Sequence, residues 1–204
     1  MDRRCVALII TGAALFLIAI LMPPERSLGN SYKFIYIHLP LSVIVLGSVL
    51  LYPLIIAAVR NAEFGAMTFA IVTLLFSIIQ IAVSMLFMEF AWSGIAFYEP
   101  RMLFNMAIIV VLAGSVALGF LHHRLALAYS IAVPIVAVWL YYAAVSSYTF
   151  QLHPGGLVKM SALLLSPFTV AFAFFGILYA AIFEKIRVFL KKLSERGRSL
   201  PQRW

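Results

Sequence analysis

Charge is scarce in this sequence. Lysine, arginine, aspartate and glutamate together make up 11% of 204 residues, whereas 65% are hydrophobic and the mean hydropathy is +1.08. A soluble chain of this length has no core large enough to hide so much apolar surface. The composition excludes an ordinary globular domain and points to a polytopic membrane protein whose solvent is lipid. Acidic residues are fewest, seven against fifteen basic ones, for a net charge of +8. The basic residues flank apolar runs, so no nucleic-acid partner is expected. Cysteine is almost absent: Cys5 stands alone. That excludes intramolecular disulfides, Cys-x-x-Cys redox chemistry and haem attachment through two thiols. Cys5 reads as a small apolar residue at a helix start. A signal-peptidase site is also missing, because Met22-Pro23-Pro24-Glu25 follows the first apolar stretch, and residues 1–22 read as a retained span. There is no strand alternation, internal repeat or low-complexity tract. No nucleophile–base pair or cluster of metal ligands appears, and an enzyme is not expected.

What is present is a series of six apolar segments, roughly 5–22, 34–59, 66–88, 102–121, 125–145 and 160–183. Each is long enough, at about 1.5 Å per residue, to approach the ~30 Å hydrocarbon thickness. The expected fold is all-α, with six transmembrane helices and both termini cytoplasmic. Open sheet edges have no place in lipid. Pro53, Pro134 and Pro167 lie inside spans, where kinks are expected. Charge sets the orientation. Arg3, Arg4, Arg60, Arg124, Lys185, Arg187, Lys191, Lys192, Arg196, Arg198 and Arg203 fall on the side of the termini, and Arg26, Lys33, Arg101 and Lys159 on the other. The positive-inside rule makes the richer side cytoplasmic. The chain divides into a membrane domain, 1–183, and a basic cytoplasmic tail, 184–204. The tail reads as a helix continuing out of span six, resting on anionic headgroups and fraying at Gly197.

The external side collects the unusual residues. His38 sits at the head of span two in Tyr36-Ile37-His38-Leu39-Pro40, and His153 precedes Pro154 just before span six. Between them in sequence lies an aromatic loop, 89–101, with Trp92, Phe97 and Tyr98 followed by Glu99-Pro100-Arg101. Two neutral imidazoles facing each other across a flat apolar surface are the arrangement that axially ligates haem iron. Arg101, Lys33 or Arg26 can pair with propionates, for which a guanidinium fork is well shaped. The plainer reading makes each histidine an interfacial residue hydrogen-bonded to a neighbouring helix. It makes the loop an aromatic belt, with Glu99 and Arg101 as a salt bridge capping span four and Pro100 fixing the turn. His122 and His123 lie in a short turn on the opposite side, and adjacent residues of a helix do not face the same way, so they read as solvated.

The residues Met22-Pro23-Pro24 through Tyr36-Ile37-His38-Leu39-Pro40 resemble the first external loop and second helix of the haem exporter protein C (CcmC) family of cytochrome c maturation. Val133-Pro134-Ile135-Val136 and Leu152-His153 resemble the fifth span and second histidine of that family. The likeness covers roughly residues 15 to 183. The tryptophan-rich external loop of the family is thinned here. In Trp92-Ser93-Gly94-Ile95-Ala96-Phe97-Tyr98-Glu99-Pro100-Arg101-Met102, only the first tryptophan and the arginine match, Tyr98 and Glu99 standing for a tryptophan and an aspartate. His153-Pro154-Gly155 likewise departs from the usual His-Gln-Gly.

The resemblance implies a multi-pass protein of the cell membrane that binds haem b as transient cargo at its extracytoplasmic face and delivers it to a haem chaperone. It implies His38 and His153 as axial ligands, porphyrin contact by Trp92, Phe97 and Tyr98, and Arg101 as a propionate partner. It also implies association with other cytochrome c maturation subunits, including an ABC-type ATPase complex. Two alternatives stand beside it. A bis-histidine membrane cytochrome carrying electrons needs a histidine pair at the other depth, and the third and fourth spans hold none. A small-solute permease would use Ser77, Gln80, Ser84 and Asn105 to line a path, although such side chains more often join helices.

Overall fold

The computed structural model describes residues 3–21, 33–58, 62–143 and 162–199, and its regular elements are helices. They are α1 (Arg3–Ile20), α2 (Ile35–Ala58), α3 (Ala62–Trp92), α4 (Pro100–Leu121), α5 (His123–Tyr141) and α6 (Ala162–Ser199). Four of them, α2, α3, α4 and α6, are long and apolar enough to cross a membrane, and α5 carries a shorter apolar stretch, Leu127–Tyr141. The six helices match the six apolar segments of the sequence in order. Boundaries shift by a few residues, most at α6. That helix runs through Gly197 to Ser199, where fraying was expected. A single glycine costs a helix only about 1 kcal/mol, and Arg187–Glu184 and Lys191–Glu195 pairs brace the turns before it.

Local chemistry explains the turns. Glu99 is the N-cap of α4: its buried carboxylate accepts a hydrogen bond from the Met102 backbone N–H at 3.0 Å, and Pro100 occupies the first helical position. At the far end a single residue, His122, closes α4 and opens α5. Its Nδ1 accepts from the Arg124 N–H at 3.3 Å. His122 is exposed, as expected, but its capping role was not visible in the sequence. Just past α3, Ser93 adopts φ 57°, a left-handed conformation that glycine takes without steric cost. Ser93→Gly is expected to raise stability by about 1 kcal/mol, and Ser93→Val to lower it, read as thermal midpoints in detergent. No gain from glycine would mean that the serine conformation costs nothing here.

Packing runs antiparallel between chain neighbours. Near the start of α2, His38 meets Ser84 near the end of α3, whereas Tyr52 towards the end of α2 donates to the Ala66 carbonyl at the start of α3, 2.7 Å away. Phe104 at the head of α4 touches Tyr141 at the end of α5, rings 5.6 Å apart. Central to the bundle is α3, which packs against α2, α4, α5 and α6. Its Thr73 hydroxyl shares a 2.6 Å hydrogen bond with Tyr179 of α6, and the Phe69 and Phe76 rings meet the Tyr179 ring edge-on. Because lipid is as apolar as leucine, dispersion contacts and interhelical hydrogen bonds hold these helices together. By contrast, α1 docks chiefly on α6. Gly12 lets the backbones approach there: a Cβ at this position would lie 3.0 Å from the Phe174 ring, and beyond it Phe16 stacks on Phe174 and meets Phe175 edge-on.

Candidate functional site

At one end of the bundle the start of α2, the end of α3, the 93–99 turn and the start of α4 come together. His38, Phe34, Phe87, Phe90 and Arg101 all belong to this end. Phe90 stacks on Phe34 with ring centres 5.4 Å apart, and Phe87 lies nearly parallel to the His38 ring at 6.2 Å. Methionines fill the space behind: Met88 and Met102 are buried against Ala96 of the turn, with Met85 and Met106 alongside. Here α5 ends and α6 begins as well, since Tyr141 meets Phe104, and Ala171 packs with Leu41 and Ile44 of α2.

The ring of His38 is held by a closed set of hydrogen bonds. Ser84 Oγ lies 2.9 Å from His38 Nδ1, 3.1 Å from Gln80 Nε2 and 2.8 Å from the Gln80 carbonyl oxygen. A hydroxyl has one proton to give and two lone pairs to receive with. Its proton goes to the carbonyl, which can only accept, and one lone pair takes the Gln80 N–H. The second lone pair then receives a proton from the imidazole. We therefore assign His38 Nδ1 as a protonated nitrogen that donates to Ser84 Oγ. The other amide proton of Gln80 goes to Ser42 Oγ at 3.0 Å, and Ser42 in turn donates to the His38 carbonyl at 2.8 Å. Gln80 thus grips His38 twice, through ring and backbone. It is 1% exposed, so this network works in a medium where an unmade hydrogen bond is costly.

These bonds are what a purely structural histidine would also make, and they tie Gln80 and Ser84 into helix cohesion. Ser77 donates to the Thr73 carbonyl at 2.8 Å and is likewise occupied. Of the residues singled out in the sequence, His38 and Arg101 share this end of the bundle. Phe97 and Tyr98 lie on the adjoining turn and are 50% and 72% exposed, available to a ligand but not packed on His38. Trp92 closes α3, and its side chain lies outside the description. His153 and Arg26 lie outside the described residues. Sequence reasoning missed Phe87 and Ser42. The signal for both was spacing: Ser42 is one turn below His38, and Phe87 one turn beyond Ser84.

No family model and no curated protein matches the chain.

An imidazole fixed in direction near a helix start, with an aromatic ring lying parallel to it, is the kind of group that can coordinate a metal held in a flat ligand. Metal-binding imidazoles ordinarily donate their second nitrogen to an oxygen, and His38 does so to Ser84.

Proposed function

We propose that this chain is a haem-handling membrane protein resembling the CcmC family, receiving haem b as cargo at the His38 end of the bundle and passing it to a haem chaperone. The observation that carries the reading is the set of hydrogen bonds at Ser84, which directs the Nδ1 proton of His38 to a hydroxyl oxygen and holds the ring against rotation at the end of the bundle that also carries Arg101. Arg101 would pair with a propionate, while Phe97 and Tyr98 supply exposed aromatic surface for the porphyrin face. His153 would supply the opposing axial ligand. In the same reading all six helices span the cell membrane, both termini are cytoplasmic, and the His38 end faces outward. Delivery requires only ligand exchange at iron, for which no general acid or nucleophile is needed. Other cytochrome c maturation subunits and an ABC-type ATPase complex would be its neighbours in the membrane.

The involvement of Gln80, Ser84 and Ser77 in hydrogen bonds between and within helices favours this reading over a solute path through the same residues. The deciding measurement is an absorption spectrum of the purified protein in detergent, before and after adding haem. A Soret band that survives washing is expected for the wild type, with loss or a low-spin to high-spin change in His38→Ala and His153→Ala. His122→Ala, at the opposite end, should leave the spectrum as it is. A protein that takes up no haem, or spectra unchanged in both His38→Ala and His153→Ala, would overturn the proposal.

A further inference from the structure

At the end of the bundle opposite His38, α6 outruns the other helices. Its depth is set by two contacts with α3, which it meets antiparallel: Thr73 shares its hydrogen bond with Tyr179, and the Phe69 ring meets Phe183 edge-on. Ala62, where α3 starts, lies eleven residues before Thr73, and Leu190 lies eleven residues after Tyr179. Leu190 is therefore level with the start of α3, and it is also the last buried residue described on α6. Lys191–Ser199 continues as helix for about 13 Å beyond that level. From Ile177 to Leu193 the sequence holds no proline or glycine, the residues at which helices most often kink. The tail therefore stands off the bundle in line with its span, and does not turn to rest on the headgroups as the sequence alone suggests.

Two faces of this post differ. Ile186, Phe189, Leu190 and Leu193 are spaced as one apolar stripe. Ile186 packs into the core and Leu190 is buried, so the stripe is turned toward the bundle. Past Leu190 the support ends: Leu193 is 47% exposed, and Phe189 at the edge of the stripe 59%. Leu193 faces the space over the end of the bundle, which the helices below keep clear of lipid. The opposite, outward face carries Glu184 and Glu195, a poor match for anionic headgroups beside it. Both carboxylates pair with neighbours on the same helix, Arg187 at 2.8 Å and Lys191 at 3.9 Å. No further acidic residue on α6 balances Lys192, Arg196 and Arg198.

We infer that the end of α6 is a docking post for an acidic amphipathic helix of a partner protein on that side of the membrane. The partner lies over the end of the bundle, with apolar residues on Leu193 and Phe189 and carboxylates toward Lys192 and the basic residues after it. Apolar anchors at i, i+3, i+4 and i+7 are the pattern by which one helix receives another, and the surplus positive charge selects an acidic one. Nothing in this depends on haem at the other end of the bundle.

Photocrosslinking of the full chain in its native cells tests it, with p-benzoylphenylalanine in place of Leu193 or, on the outward face, of Val188. From position 193 a partner protein should be captured, and peptide mapping of the product should place the crosslink in an acidic amphipathic stretch. The yield from position 188 should be at least about 5-fold lower. Lys192→Glu should lower the yield from position 193 by about 5-fold, as expected for one reversed charge at an exposed site, and Glu184→Gln should leave it unchanged. All these positions are exposed, and membrane abundance and thermal midpoint confirm that each variant is folded. Crosslinks from position 193 to lipid alone, to this chain or a second copy of it, or to a partner segment without acidic residues would overturn the proposal. So would no crosslink at all, equal yield from position 188, or an unchanged yield in Lys192→Glu.

Discussion

Ser84→Ala is expected to weaken haem binding by about 10–100-fold while the bundle stays folded, because partners of a metal-binding imidazole contribute on that scale. The change deletes the acceptor of the His38 Nδ1 proton, 2.9 Å away, and leaves the Gln80–Ser42 bond and the Ser42–His38 carbonyl bond in place. Backbone position at His38 is therefore kept while the ring loses the contact that fixes its direction and tautomer. A serine that served only to join helices would change the thermal midpoint and not the spectrum. The discriminating readout is the low-spin fraction of added haem at saturation, with affinity from titration. Ser84→Thr keeps the hydroxyl and should restore most of both. Wild-type affinity and spectrum in Ser84→Ala would refute the positioning role, whereas a failure of the unaltered protein to take haem would refute the haem reading instead.

The second large effect belongs to stability. Tyr52 is fully buried, its ring stacks on Phe69 at 4.7 Å, and its hydroxyl donates to the Ala66 carbonyl across the α2–α3 seam. Tyr52→Phe removes only that hydrogen bond, and a loss of about 1 kcal/mol is expected. Tyr52→Ala also removes the ring from the centre of a cluster that includes Val49, Ile56, Phe69 and Val133. In a water-soluble core the cost of deleting a large aromatic is about 3–5 kcal/mol. Here about 2–4 kcal/mol is expected, because lipid withholds the hydrophobic share and leaves the cavity and lost dispersion contacts. Equilibrium unfolding by denaturing detergent reads both. Equal losses in the two variants would mean that the hydrogen bond, and not the packing, holds this seam.

How far the sequence could be read follows from what each signal depends on. Helix number and order are set by unbroken apolar length, a property of single segments, and the α2, α3 and α4 limits fall within a few residues of those expected. Glu99-Pro100 announced a helix start because the cap and the first-turn proline act over three residues. His38 was conspicuous because imidazole is rare at such a place. The set that holds it was not legible as a unit. Ser84 is one turn from Gln80 on α3, but only the pairing of α2 with α3 in one particular register brings Ser42 to Gln80 and His38 to Ser84. Of these residues, Gln80 and Ser84 did stand out as polar groups within a span, but their alternatives, path or joint, differ only in whether their hydrogen bonds are already spent. Asn105 carried the same ambiguity, and the two cases part in the structure: Gln80 bonds to Ser42 of α2 and to Ser84 of its own helix, whereas Asn105 bonds to no described side chain.

The attachment of α1 has a consequence for how the molecule comes into being. α1 is made well before α6, the helix on which it chiefly rests, with Gly12 and Phe16 fitted to Phe174 and Phe175. Until α6 is made, α1 waits without its main partner, while α2 to α5 already have one another. A chain that stops before α6 therefore leaves the Gly12 notch of α1 uncovered, a mark that separates an unfinished bundle from a finished one.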